Sequence, residues 1–204
     1  MMFKRIKKSW RRFSRAKEGL AALEFALLAP LMIMLLLTSI ELINLLQTNR
    51  RVENTAASLA DVISRDTEIS NSELTGLWTA VEQLLYPSNY VGVDLRIVSI
   101  SIQSDGTGRV AWSEVCGIDA GGYCGDSTFT PLTSGSTVQS SDLPATNTPG
   151  SSLIRVDIAY DYSPILGFYS TNSVFDLSRD TSGVHLERSV FRRSRLVDPI
   201  PRTS

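Results

Sequence analysis

The stretch that decides the fold runs from Lys17 to Met32, KEGLAALEFALLAPLM, and joins a basic arm to a long apolar run. The run covers 24 residues, Leu20 to Ile43, and its charged residues, Glu24 and Glu41, stand near the two ends. An apolar helix of about 20 residues crosses the hydrocarbon core of a bilayer. A cleavable secretory signal would be shorter, about 7–15 apolar residues, and a soluble core helix would show a polar face. The run therefore predicts a transmembrane helix over residues 20–46.

Charge is distributed unevenly along the chain. Of 20 Lys and Arg and 21 Asp and Glu, eight basic residues and one acidic residue precede Gly19. The part from Leu20 onward therefore has 12 basic and 20 acidic residues, a formal charge of −8. The positive-inside rule predicts that residues 1–19 form a cytoplasmic leader and that the chain beyond the helix lies outside. A nucleic-acid-binding tail is the alternative, and it is disfavoured because the arm adjoins the apolar run.

Beyond the span the pattern indicates more helix. A single helix is expected to reach about Asp66, since the sequence has no glycine between Leu20 and Asn71. Its proline, Pro30, is predicted to bend it, as membrane helices tolerate. Spacings of four and three place a buried stripe on one face: Val52, Ala56, Leu59 and Ile63. A second helix is predicted after a capping box of Ser70 and Glu73. Its apolar face is Leu74, Leu77, Val81, Leu84 and Leu85.

Strands are predicted for the rest of the chain. Val93–Ile102 and Arg109–Trp112 flank a turn and suggest a hairpin. Residues 117–152 are rich in Gly, Ser, Thr and Pro and are expected to form a flexible, exposed excursion outside the core. Leu153–Tyr162 alternates, with Ile154, Val156, Ile158, Tyr160 and Tyr162 on one face and Arg155, Asp157 and Asp161 on the other. Val184–Leu196 fits either an edge strand or a short helix. Residues 47–204 are therefore predicted to be an α+β domain, with an antiparallel sheet against the extended helix.

The two cysteines, Cys116 and Cys124, flank the short glycine-bearing loop GIDAGGY. A disulfide between them is predicted, and it suits an oxidising compartment such as the bacterial periplasm. A free pair of thiols or half of a metal site is the alternative. With one histidine in the chain, His185, a four-ligand zinc site is hard to complete.

Glu24 is unusual because a carboxylate in a membrane segment is costly and generally has a partner. If a peptidase cut after Gly19, the new amino terminus at Leu20 would stand four positions before Glu24, on the same helical face. The carboxylate would then pair with that amine or with the amine of a neighbouring subunit. The plain alternative is an acid near the membrane interface whose charge reaches water.

This pattern resembles the processing site of type IVb prepilins and pseudopilins: a glycine, four residues, then glutamate and an aromatic, here Gly19, Glu24 and Phe25. Of these, it more closely resembles the TadE-like group of the tight adherence (Flp) pilus system, whose members carry a larger periplasmic domain. Pro30 also fits that group. The resemblance implies a prepilin peptidase, other pilin-like subunits, inner-membrane platform proteins and the lipid bilayer as partners. The length of the chain favours a minor, assembly-assisting subunit over a bulk filament protein.

Enzyme chemistry is not predicted, and neither a cofactor nor a resident metal is expected. His185 stands alone, whereas general-base catalysis needs partners within reach. Asp157 and Asp161 share a strand face where they could contact a cation, but the favoured expectation is a solvated face on which they only aid solubility. The basic cluster Arg188, Arg192, Arg193 and Arg195 is expected to pair with the acidic domain and not with nucleic acid.

Two other functions compete with the pilus-assembly interpretation. One is a single-pass anchored periplasmic domain that binds a partner and never enters a filament. The other is an enzyme with a membrane tether. In each case the predicted location is the bacterial inner membrane, with a cytoplasmic amino terminus and a periplasmic carboxyl-terminal domain.

Overall fold

The computed structural model describes residues 20–145, 148–164 and 183–203. In these parts two α-helices, α1 (Leu20–Ile63) and α2 (Asn71–Leu85), precede an antiparallel sheet, and a short 3-10 helix covers Ser140–Asp142. The fold is therefore α+β, as the sequence predicted. The chain divides into two compact units, residues 1–43 and 44–204, with the boundary inside α1. The domain bounds expected from the sequence, 20–46 and 47–204, stay predictions.

The first part of α1 is apolar on all sides and is long enough to cross a membrane. Its large apolar side chains are exposed, from Leu23 at 68% and Phe25 at 73% to Leu36 at 60%. The hydroxyls of Thr38 and Ser39 donate to the carbonyls four residues earlier, at 2.8 and 2.7 Å. These bonds satisfy the two polar groups within the helix itself, which suits an apolar surrounding.

The second part of α1 carries the buried stripe that the spacing predicted. Val52, Ala56, Leu59 and Ile63 are 0–1% exposed. The helix ends at Ile63, three residues before the expected Asp66. A tight turn follows, in which the amide of Ser64 donates to the Ala60 carbonyl at 3.0 Å.

The capping box predicted for α2 is present. The Ser70 amide donates to the Glu73 carboxylate at 2.6 Å, and the Glu73 amide donates to the Ser70 hydroxyl at 3.3 Å. The predicted face is right for four of its five residues. Leu84 is wrong, because it is 39% exposed at the rim of that face, and Trp78 is buried near the centre instead.

The sheet is antiparallel throughout, in the order β3-β2-β1-β5-β6, with β4 pairing to β2. Its strands are β1 (Asp94–Ile102), β2 (Gly108–Ile118), β3 (Cys124–Gly125), β4 (Thr137–Val138), β5 (Ser152–Tyr162) and β6 (Val184–Arg193). β1 and β2 form the predicted hairpin, with β2 longer than expected. The last segment is a strand: β6 pairs along its whole length with β5 at one end of the described sheet.

Each face of the sheet buries apolar side chains. The larger cluster joins the α1 stripe and the α2 face to inward residues of β1, β2, β5 and β6. The smaller cluster lies on the opposite face: Val98, Ile100, Ile102, Val110, Val138, Leu143 and Leu153. Val138 and Leu143 come from the 117–152 excursion, so the expectation that this segment contributes nothing to the core is wrong. Their side chains cover a sheet face that would otherwise expose β-branched residues to water.

The last described residues contact both the sheet and the segment before α2. Ile200 is fully buried, and its carbonyl accepts from the Trp112 indole at 2.8 Å. Ile69 and Arg202 form a parallel bridge, and Arg202 also contacts Glu114 at 3.1 Å. This segment joins β2 to the start of α2.

Candidate functional site

The predicted processing motif lies at the start of α1. Gly19 is outside the described residues, and α1 is described from Leu20 onward. Glu24, one turn further, and Phe25 are both exposed. Pro30 lies inside the helix, with helical residues on both sides. The assignment of Gly19, Leu20, Glu24 and Phe25 to processing and assembly, and of Pro30 to a bend, stays a prediction.

The motif is surrounded by an apolar surface. Leu23 is 68% exposed, and Phe25 and Leu27 are both 73% exposed. Apolar area of this extent is strongly unfavourable in water, at about 25 cal/mol per Å². Lipid or other apolar helices are the surroundings that such a surface requires. The first turns of α1 are therefore suited to contact with lipid or with other apolar helices.

The disulfide prediction is confirmed. Cys116 and Cys124 are bonded, with their Cα atoms 5.1 Å apart. Cys124 begins β3, which turns back onto the end of β2, so the strand pairing itself brings the two sulfurs together. The Asp119 carboxylate accepts from the amides of Gly121 and Tyr123 at 2.9 and 2.8 Å, which stabilises the tip. The loop is thus an exposed feature at the edge of the sheet, held by the disulfide and these hydrogen bonds.

Asp157 does not lie on a solvated face, and that expectation is wrong. Its side chain is 0% exposed and pairs with Arg96 and Arg155 at 2.8 and 2.7 Å. The Ser189 hydroxyl donates to it as well, at 2.5 Å. Arg96 lies under the ring of Phe129, 4.8 Å from its centroid, so part of the 117–152 excursion covers this cluster. Through these contacts the Asp157 carboxylate connects side chains of β1, β5 and β6.

Most of the remaining polar candidates are exposed, and Arg188 is partly buried. His185 is 57% exposed and contacts Asp161, itself 73% exposed, at 2.7 Å. Within the basic cluster, Arg195 pairs with Asp61 at 2.5 Å and Arg188 donates to Asn49 at 2.6 Å. The described residues hold no group of three or more His, Cys, Asp and Glu that could bind a metal ion.

A cavity of about 360 Å³ was missed by the sequence reasoning. It lies within the unit of residues 44–204, among α1, the loop after α2 and the end of β5. α1 contributes Asn44, Gln47, Thr48 and Arg51. These are spaced i, i+3, i+4 and i+7, which puts them on one helical face. That polar spacing, just before the apolar stripe, is the signal by which the cavity could have been found.

Within the described residues one helix, α1, is long and apolar enough to cross a membrane, and its continuation into the α+β unit indicates a single-pass membrane anchor. Residues 19–61 match the family model described as TadE-like protein. The match begins at Gly19 and ends two residues before the end of α1. It confirms the resemblance drawn from the motif, and this segment indicates a pilin-like role associated with a Tad pilus. No curated protein and no solved structure matches the chain.

Proposed function

We propose that this chain is a TadE-like pseudopilin or minor pilin that assists assembly of a Flp, or type IVb tight adherence, pilus. The observation that carries the proposal is that the family match coincides with the processing motif. The family match begins at Gly19 and includes Glu24 and Phe25 at the motif positions, and α1 is described over the same segment from Leu20 onward. This coincidence links the family, the helix and the processing motif to the same few residues.

The proposed processing step is hydrolysis of the peptide bond between Gly19 and Leu20 by a prepilin peptidase. Water supplies a hydroxyl to the Gly19 carbonyl, and the Leu20 nitrogen leaves as an amine that is protonated at neutral pH. The Glu24 carboxylate, four residues along, lies on the same helical face as that ammonium group. It pairs with this group or with its equivalent on an adjacent pilin-like subunit.

The proposed location is the bacterial inner membrane, with the basic leader in the cytoplasm and the α+β domain in the periplasm. Eight basic residues before Gly19 support this orientation by the positive-inside rule. The Cys116–Cys124 disulfide supports it independently, because disulfides persist in oxidising compartments. Platform proteins and pilin-like subunits are the proposed partners of α1.

We further propose that the chain acts by binding and not by catalysis. The charged clusters of the described residues support this interpretation. Asp157 is held by two arginines inside the fold, and His185 lies exposed against Asp161. Neither arrangement presents a nucleophile together with a base in an enclosed site.

The alternative is an anchored interaction domain that never joins a filament. One observation favours it: residues 44–204 form a compact unit with its own buried core. In that case α1 is a tether, and the details of its first turns have no role beyond crossing the membrane.

Cleavage is tested by expressing the full chain with and without the cognate prepilin peptidase. We expect the peptidase to remove residues 1–19 and leave a new terminus at Leu20, measured by intact mass. Gly19→Val should block the change, whereas Gly76→Val, at a helical glycine with open space around its Cα, should not. An unprocessed wild-type chain in the presence of active peptidase contradicts the processing step.

The role of Glu24 is tested by Glu24→Gln and Glu24→Leu in a piliated strain. Both should sharply reduce surface pili at unchanged protein level. The matched control is Glu53→Gln, an exposed acid on the same helix beyond the apolar part. Normal piliation in both Glu24 variants would exclude charge pairing and favour the anchored interaction domain.

A further inference from the structure

The polar cavity at the start of the 44–204 unit has a composition that the pilus role does not explain. α1 supplies Asn44, Gln47, Thr48 and Arg51, while the loop after α2 supplies Ser88 and Asn89. Hydroxyl and amide groups of this kind orient a ligand by donating hydrogen bonds. The lining therefore suits a polar ligand. Among the described lining residues Arg51 is the one cationic side chain.

Arg51 is the distinctive member of this lining. It is partly buried, and no hydrogen bond or ion pair joins its side chain to any residue in the described ranges. Other arginines of the same unit do have carboxylate partners: Arg65, Arg96, Arg155, Arg195 and Arg202. A guanidinium presents a planar fork of donors that matches the oxygens of a phosphate. Arg51 therefore lines the cavity with a guanidinium that could bind a phosphate and that contacts no carboxylate of the described residues.

We propose that this cavity binds a phosphate group through Arg51, with the phosphate of a phospholipid headgroup as its source. The position of Arg51 in the chain supports the lipid source. Asn44, the first lining residue, directly follows Ile43, the end of the apolar run. In a single-pass protein Asn44 therefore stands at the level of the headgroups, and Arg51 lies about 10 Å further along the helix, on the same side of the membrane. A volume of about 360 Å³ accommodates a headgroup phosphate with its ester substituents.

Asp161 is the one carboxylate among the described lining residues, and it shapes the expected ligand. Its carboxylate oxygen contacts the His185 ring nitrogen at 2.7 Å, and its side chain is 73% exposed. Water screens a carboxylate of this exposure, so its repulsion of a phosphate beside Arg51 is weak. It also offers a partner to an ammonium substituent. A phosphoethanolamine headgroup is therefore expected to bind more tightly than a phosphoglycerol headgroup.

The neighbouring arginine provides a matched control. Arg50 has the same charge and lies one residue earlier on α1, but it is exposed and does not line the cavity. A general attraction of basic residues to anionic lipid would involve both arginines about equally. Binding at a specific site in the cavity would depend on Arg51 and not on Arg50.

The test uses the full chain, purified in detergent, with four added compounds. These are dihexanoyl phosphatidylethanolamine, dihexanoyl phosphatidylglycerol, dihexanoylglycerol and inorganic phosphate. Binding is measured from the shift in unfolding temperature across a titration. We expect Arg51→Gln to weaken phospholipid binding about tenfold or more, the usual effect of losing a charge-assisted contact. Arg50→Gln should change it less than about twofold, and dihexanoylglycerol should not bind.

Each other result has a defined meaning. Arg51-dependent binding of inorganic phosphate, with no tighter binding of either phospholipid, keeps the phosphate site and assigns it to a free anion. Equal loss in Arg50→Gln and Arg51→Gln, or equal binding of dihexanoylglycerol, overturns the proposal. If Arg51→Gln does not fold, Gln47→Trp, which adds bulk at a lining residue and keeps both arginines, must abolish binding. None of these results depends on the pilus role, which is measured by cleavage and piliation.

Discussion

Asp157 accepts from Arg96 across the pairing of β1 with β5, at 2.8 Å, with the carboxylate fully shielded from water. The two residues are 61 positions apart in sequence. Arg155 supplies a second guanidinium from the same strand as Asp157. The buried carboxylate is thus neutralised by groups that the fold alone brings together.

Replacing Asp157 is expected to destabilise the fold strongly. Removing one partner from a buried ion pair typically costs about 3–5 kcal/mol, because the remaining charge loses its compensation. Arg96 and Arg155 are 15% and 20% exposed and can regain some water, so Asp157→Asn should cost nearer the lower end of that range. Thermal unfolding of the full chain in detergent measures the effect.

Asp161→Asn is the matched control, on the same strand and with a side chain 73% exposed. It should change the free energy of unfolding by less than about 0.5 kcal/mol. Comparable losses in the two variants would contradict the structural role assigned to Asp157.

Local patterns predicted much of this fold. The capping box of Ser70 and Glu73, the α1 stripe beginning at Val52 and the alternation of β5 each depend on residues a few positions apart. Such signals are readable because helix and strand periodicities are set by the backbone. The long apolar run was the strongest of them, and it lies within both α1 and the segment that the family model matches.

Features that depend on distant residues were not predictable. Asp157 has the spacing of an outward strand residue, and only the pairing with β1 places Arg96 against it. Val138 lies in a polar, glycine-rich segment, yet β4 pairs with β2 and carries its side chain onto the sheet. The cavity at Arg51 likewise needs the loop after α2 and the end of β5.

The disulfide is expected to contribute measurably to stability. The bond between Cys116 and Cys124, eight positions apart, lowers the conformational entropy of the unfolded chain. This raises the free energy of unfolding by about 2–3 kcal/mol. Reductant should therefore lower the unfolding temperature of the wild-type chain. The double variant Cys116→Ala, Cys124→Ser should unfold at a similarly lowered temperature and be insensitive to reductant. A wild-type transition unchanged by reductant would show that the bond contributes nothing.

The capping box predicts a pH dependence. The Ser70 amide, and then its hydroxyl, donate to the Glu73 carboxylate and lower its pKa from 4.5. A lowered folded-state pKa stabilises the fold above the unfolded value and loses that contribution as the pH falls through the folded value. The unfolding temperature of wild type should therefore exceed that of Glu73→Gln most above about pH 5, and the difference should shrink in acid. Unfolding temperatures across pH 3–7 measure it.

Asp66 provides a control of opposite sign. Burial, and then the charge of Glu73, raise the pKa of Asp66 from 3.8. A raised folded-state pKa makes the ionised carboxylate unfavourable to the fold, so its cost appears as the pH rises. Asp66→Asn should gain stability relative to wild type at neutral pH and not in acid. Parallel pH profiles for Asp66→Asn and Glu73→Gln would contradict both assignments.

Membrane insertion of α1 is expected to fail when a charge is placed at its centre. Leu35 lies in the middle of the apolar run and is 56% exposed, so Leu35→Arg places the charge in lipid without disturbing a core. An arginine at the centre of a membrane helix costs about 2.5–3.5 kcal/mol on the insertion scale. The variant should move from the membrane fraction to the alkaline-extractable fraction. Leu196→Arg, at a site 65% exposed outside the run, should remain membrane-bound, and an extractable wild-type chain would refute the anchor.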